Sequence, residues 1–389
     1  MIKIKITYLL TITFSVILLL IGHKIAVKDM IQLQNNTHEI VKAKVLNVYG
    51  SEESQIINND SDEEGASPEE ASPLVKRGKI VFEAKITEGF RKGEIVTAIQ
   101  SMQGFLPGSQ KEVYKNAPIL LIFINDEWNF NGYNRINALL VLGGLFIFCL
   151  ILFGGKKGVN TIISLSLTCS AVFAVLIPSI LSGKNVYFMS IIICVYVIIM
   201  MILIVIGFNK KAIAAITGCT GGVLIAGIIA VIMDKALFLT GIVDAESLYL
   251  INLPGGIDLN LRAIIFSGIL IGAMGAIMDV AISIASSLWE VKEKAGAITF
   301  KELFASGVTI GRDIMGSMAD TLILAYIGSS LAVVLVLTLY SGSLLGLFNS
   351  EMIAVEILQA MAGSLGILFA MPLTAFFSSF IYLRVKNKE

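Results

Sequence analysis

Two histidines and four cysteines in 389 residues leave this chain few of the side chains from which metal or redox centres are built. His23 and His38 lie apart with no cysteine near either, so their spacing supplies no zinc-type ligand set, and neither a metal nor a cofactor is expected. Cys149, Cys169, Cys194 and Cys219 all fall in apolar stretches, whereas the polar segment before residue 136 has none, which excludes a disulfide framework there. Charge is scarce as well: charged residues are 15% of the chain and the formal net charge is +0. No basic stretch is interleaved with aromatics, so nucleic acid is excluded as a partner. No phosphate-cradling glycine loop appears, so any energy for work would come from an ion gradient or a partner.

What the chain has instead is hydrophobicity. Hydrophobic residues make up 56% of it, with a mean hydropathy of +0.84. Runs longer than ~18 apolar residues are of membrane-spanning length. Eight such segments are predicted: an uncleaved anchor over Ile6–Ile21, then Ile136–Phe153, Val159–Leu181, Val186–Phe208, Ala212–Met233, Leu261–Trp289, Ser317–Tyr340 and Ile353–Leu383. With the N-terminus inside, the inner side receives thirteen lysines and arginines, while the outer loops receive Lys184, Lys235 and Arg262. That bias places both termini in the cytoplasm.

The expected fold class is a mainly α membrane protein with a small extracytoplasmic β domain inserted between the first and second helices. Residues 1–27 form the anchor, 28–135 the β-rich domain and 136–389 a seven-helix membrane domain. HEIVKAKVLNVYG, GKIVFEAKITEG, GEIVTAIQS and APILLIFIN read as strands, being short, rich in Val and Ile and bounded by turn residues. Between the first two lies an insertion, residues 51–73, too acidic and polar to build a core. Trp128 and Tyr133, just before the next apolar run, are placed by the sequence at the membrane interface.

The candidate functional residues lie in the later spans. Gly268, Gly272, Gly275, Asp279 and Ser283 recur at three- and four-residue intervals, putting small residues and one carboxylate on a single helical face. Small residues let helices approach closely, and an ionisable group in hydrocarbon is costly unless it faces a partner or water, so that face is expected to pack between helices. Gly218 and Gly222 make a second small-residue face. Asp320 and Glu356 are further carboxylates within spans, and Pro372 is expected to break the last one and free backbone groups to line a cavity. Asp244 before AESLYLI and Thr299 three residues before Glu302 predict short capped helices in the flanking loops.

The runs GAMGAIMDVAISIASSLWE, SGVTIGRDIMGSMADTLILAYIG and GSLGILFAMPLT resemble the YibE/F family of bacterial polytopic membrane proteins over roughly the C-terminal two thirds of the chain. The resemblance implies a multi-pass protein of the bacterial cell membrane. It also implies Asn before TLILAY, where this chain has Asp320.

Three functions are compatible with these residues. An ion-coupled transporter or channel for a small solute would use Asp279, Asp320, Glu356 and Ser283 along its pathway. A non-transporting accessory or signalling protein would bind a protein partner through the β domain. An intramembrane aspartyl hydrolase would pair Asp279 with Asp320, although GSMAD departs from the GxGD pattern of presenilin-like enzymes.

Overall fold

The computed structural model describes residues 2–28, 39–53, 78–89, 91–102, 111–251, 259–340 and 343–384. Most of the acidic insertion lies outside the described residues. The chain divides into two units, one of Met1–Leu33 with Cys149–Glu389 and one of Gln34–Phe148.

The smaller unit holds five strands, β1 (Ile40–Glu53), β2 (Gly78–Ile86), β3 (Ile95–Met102), β4 (Pro118–Ile124) and β5 (Glu127–Tyr133). They close into a barrel in the order β1-β2-β3-β5-β4, antiparallel except for a short parallel pairing of β3 with β5. This is the five-stranded Greek-key arrangement of the OB type. Alternation decides which side chains face inward. Val41, Ala43 and Val45 are buried on β1, as are Phe82, Ala84 and Ile86 on β2, while Lys44 and Lys85 point out. Register shifts at Val45/Asn47 and Val48/Ser51 bend β1, which pairs with β4 through Ile40–Lys44 and with β2 from Ala43 to Glu53. Asn125 and Asp126, at φ 52° and 63°, make the tight turn between β4 and β5. Trp128, read from sequence as an interface residue, is instead in the barrel core, 7% exposed and 5.0 Å from the Phe123 ring.

In the larger unit, α1 (Ile2–Val27) is joined to its neighbours by hydroxyl hydrogen bonds. Ser15 bonds Tyr196, and Ser182 donates to the carbonyl of Ala26. The helix α2 (Ile136–Ala171), whose residues up to Phe148 belong to the smaller unit, continues through a π turn (Val172–Leu176) into α3 (Ile177–Leu181). After it come α4 (Val186–Val205), α5 (Lys210–Ala236), α6 (Ala245–Ile251), α7 (Leu261–Ala295), α8 (Phe300–Ser329), α9 (Leu331–Tyr340), α10 (Leu344–Asn349) and α11 (Glu351–Leu383). Asn185, Asn209 and Asn260 cap α4, α5 and α7, each accepting a backbone N–H three residues on.

The centre of this unit is α11, packed on α5, α7 and α8. Glycines make the approach possible. A Cβ at Gly222 would sit 2.6 Å from Ala370 Cβ and 2.9 Å from the Gly366 carbonyl oxygen, and one at Gly218 would sit 2.7 Å from the backbone of Thr374. Gly307 and Gly311 do the same for α8 against Leu288, Ile284 and Met371. Pro372 does not break α11, which runs through it as one helix of 33 residues. Its missing N–H costs one rung of the ladder, which tight packing on three neighbouring helices offsets, and Thr374 and Ser379 hydroxyls bond back to Ala370 and Ala375.

Six helices among the described residues are long and apolar enough to cross a membrane. The difference from the expected eight has two sources. The element Ile136–Leu181 counts once at 46 residues. Gly155 within it has non-helical angles (φ 52°, ψ −127°), and a Cβ at Gly158 would overlap the Leu150 carbonyl. Residues eight apart in an unbroken helix are ~12 Å apart, so the chain doubles back at these glycines. The predicted segment Ser317–Tyr340 is divided at Ser330 between α8 and α9. The short amphipathic helix expected after Thr299 is not separate; it is the first half of α8.

Candidate functional site

α7 and α8 carry the candidate carboxylates. Thr299 and Glu302 form a reciprocal capping box at the start of α8, with the Thr299 N–H donating to Glu302 at 2.9 Å. That bond and the Thr299 hydroxyl hold the Glu302 carboxyl below its ordinary pKa. From this start α8 runs antiparallel to α7. Gly307 faces Leu288, Gly311 faces Ile284, and the Tyr326 hydroxyl occupies the space a side chain at Gly272 would need.

That register puts Asp279 and Asp320 at one level, within ~5 Å along the helix axes. Asp279 stands near the midpoint of the 35-residue α7. Both carboxylates are exposed on the surface of the bundle, and neither is in an ion pair or hydrogen bond among the described residues.

The opposite face of α7, with Phe266, Leu270, Ala273, Ile277, Ala281 and Ile284, is buried. The face bearing Asp279 is open: nothing lies within 4 Å of a Cβ built at Gly268 or Gly275. The expectation that this face packs between helices of the chain is therefore corrected for Gly268 and Gly275, and holds in the chain only at Gly272. On α8, Gly316, Ser317, Asp320 and Thr321 are exposed as well. Ser283 is half-buried one turn along from Asp279. Glu356 on α11 is half-buried.

Three features carry no signal that spacing alone could reveal. Asp234 at the end of α5 pairs with Arg262 at the start of α7 at 3.8 Å, beside a cavity of about 10 Å³ lined also by Tyr187 and Phe266. The Glu351 carboxylate accepts the N–H groups of Thr240 and Gly241, both at 2.7 Å, and clasps the loop after α5 to the start of α11. Three lysines gather on Trp289, from α5 and α7. The short capped helix expected after Asp244 is present as α6: Asp244 accepts the Ser247 N–H at 2.7 Å at its start, while residues 252–258 lie outside the described residues.

In the barrel unit, an open cleft of about 310 Å³ lies where β3 and β5 diverge, lined by Ser101, Lys111, Asn129, Tyr133 and Arg135. Buried Gln100 fixes its wall, donating to the Lys111 carbonyl at 3.1 Å and accepting the Val113 N–H at 2.9 Å.

The profile of the family described as YibE/F-like protein matches residues 142–384, which takes in the bundle helices from most of α2 through α11. Neither a curated protein nor a solved structure matches the chain.

Proposed function

The chain belongs to the YibE/F-like family, and from that premise we propose that it is a multi-pass transporter or channel moving a small solute or ion along the open face of α7 and α8. One observation carries the reading: Asp279, exposed near the middle of the membrane-length helix α7, stands at the same level as the exposed Asp320 of α8. A carboxylate at mid-membrane depth costs several kcal/mol against lipid, so this face is suited to water or to another protein surface. Small residues around Asp279 leave room for a hydrated ion or a solute, and Ser283 and Thr321 add hydroxyls that can donate or accept. Asp279 would exchange protons or ions, with Asp320 and Glu356 beside the route.

The topology we adopt counts α2 as two passes, reversing at Gly155, and α8 with α9 as one. It gives eight passes with both termini cytoplasmic and the barrel outside.

Proteoliposomes loaded with a pH-sensitive dye test the reading. An imposed potassium-diffusion potential should drive proton entry with the wild type, and Asp279→Asn should lower it at least tenfold in a folded protein. Equal flux in the two proteins overturns the role of Asp279. Cleavage of a membrane peptide that is lost in Asp279→Asn, with no flux in either protein, would instead favour the hydrolase reading.

A second reading, an accessory or signalling protein whose barrel binds a protein partner, is supported by the cleft between β3 and β5. A variant lacking residues 39–133 separates the two, since a transporter should keep flux through its helices while an accessory protein loses its function.

A further inference from the structure

Trp289 sits near the end of α7 with its indole fixed on two sides. Its N–H donates to Glu293 at 2.6 Å, and the Tyr382 ring packs edge-on at 5.0 Å between centroids. Around this ring stand three ammonium groups, Lys210 at 5.9 Å, Lys211 at 5.8 Å and Lys292 at 5.3 Å from its centroid. No two of them can be more than ~12 Å apart, about the Debye length of ~10 Å at 0.1 M salt, so they repel one another. The indole offsets part of that repulsion by cation–π attraction, at ~0.5–1 kcal/mol per exposed contact. No carboxylate among the described residues forms an ion pair with any of the three, and the nearest in sequence, Glu293, is committed to the indole.

Two further groups add positive potential at the same place. Lys210 and Lys211 are the first residues of α5, a 27-residue helix whose Asn209 cap takes the N–H of Ala212 at 2.9 Å. The amides of Lys210 and Lys211 therefore have no acceptor within the helix, and the helix dipole favours an anion in front of them. The apolar span of α5 itself starts at Lys210, and an indole at such a boundary lies at the level of lipid headgroups.

We propose that this corner, where α5 begins and α7 ends, binds the phosphate of an anionic phospholipid headgroup, with Lys210, Lys211 and Lys292 as its cationic ligands and Trp289 as the platform that gathers them. Neutralising three crowded ammoniums gives the anion a binding energy that the zwitterionic headgroup, which carries its own ammonium, cannot match. The site is independent of the carboxylate face and does not rest on the transport reading.

The full-length protein in neutral detergent, titrated with phosphatidylglycerol and separately with phosphatidylcholine, tests this by native mass spectrometry. Wild type should retain the anionic lipid in preference. Lys211→Gln/Lys292→Gln should weaken it by about fivefold per lysine, the equivalent of ~1 kcal/mol each, while Lys235→Gln at the other end of α5 should not. Inorganic phosphate at 10 mM concentration, taken as roughly a saturating competitor for a free-phosphate site of millimolar affinity, should displace little of the lipid. Equal retention of the anionic lipid by wild type and the double variant overturns the site. Strong stabilisation by inorganic phosphate without lipid preference overturns the lipid as its occupant.

Discussion

The glycines of α5 and those of α7 follow the same helical spacing and meet opposite surroundings. On α5, Gly218 and Gly222 are buried against α11, with Thr374, Ala370 and Gly366 where a side chain would be. On α7, Gly268 and Gly275 face open space, and the next position on that stripe is Asp279. The difference lies in the carboxylate. A stripe of small residues alone can be consumed by a neighbouring helix, because close approach maximises van der Waals contact in lipid. A stripe that ends in an ionisable group cannot be sealed so cheaply, since a buried carboxylate needs partners that Ile, Leu and Ala do not supply. The chain keeps that second stripe at its surface.

The largest effect should come from filling the covered stripe. Gly222→Leu places a side chain into the Gly366 carbonyl and the Ala370 methyl, and α5 must separate from α11 along the core contact of the bundle. Overpacking of this kind costs on the order of 3 kcal/mol or more. The expected result is loss of monodisperse protein on size-exclusion chromatography. A variant that behaves as wild type would mean that α5 and α11 are not held at this distance.

Next comes the open stripe's carboxylate. Asp279→Asn should leave the midpoint of thermal unfolding in detergent nearly unchanged, within ~0.5 kcal/mol, because an exposed side chain with no partner has little to lose. Flux should nonetheless fall at least tenfold. Large destabilisation with flux intact per folded molecule would make Asp279 a structural residue and erase the contrast between the two stripes.

How much of this was legible depended on how local the cause was. Both stripes were visible, since period alone reveals a helical face, and so was the box of Thr299 with Glu302. Which stripe is covered was not, because coverage is set by how α5, α7, α8 and α11 dock, and the partners stand far apart in sequence: Gly218 meets Thr374. The gathering of Lys210 on Trp289 was hidden for the same reason. The fifth strand was missed because EWNFNGY is rich in Asn and Gly, poor strand formers, while its Trp128 and Tyr133 were read against the apolar run that follows. Pro372 was over-read, since proline's local cost can be offset by packing that no local rule contains.

A smaller effect is expected at the start of α8, the helix that carries Asp320. Thr299→Ala removes the hydroxyl half of the box and should cost about 1 kcal/mol. The Glu302 carboxyl has its pKa lowered in the folded protein, so its contribution is present above the unfolded-state value and is lost as pH falls through the folded one. Stability of wild type should therefore drop on acidification below the ordinary glutamate range, and Glu302→Gln should flatten that part of the profile. An unchanged profile in the variant would show that the box does not hold α8 in place.

The smallest effect on stability should be at Gly275, and it sharpens the comparison most. Nothing lies within 4 Å of an added Cβ there, so Gly275→Ala meets no collision. Alanine is favoured over glycine inside a helix by ~1 kcal/mol in peptides, and the variant should unfold at the same temperature as wild type or slightly above it. Gly275→Leu is the more telling change, because it fills the open stripe one turn from Asp279 without touching the carboxylate. If the stripe borders a water-filled route, the leucine variant should fold normally and pass protons several-fold more slowly, as a narrowed path must. If the stripe meets lipid alone, both variants should fold and both should match wild type in flux, and the proposed pathway along α7 would have to be abandoned.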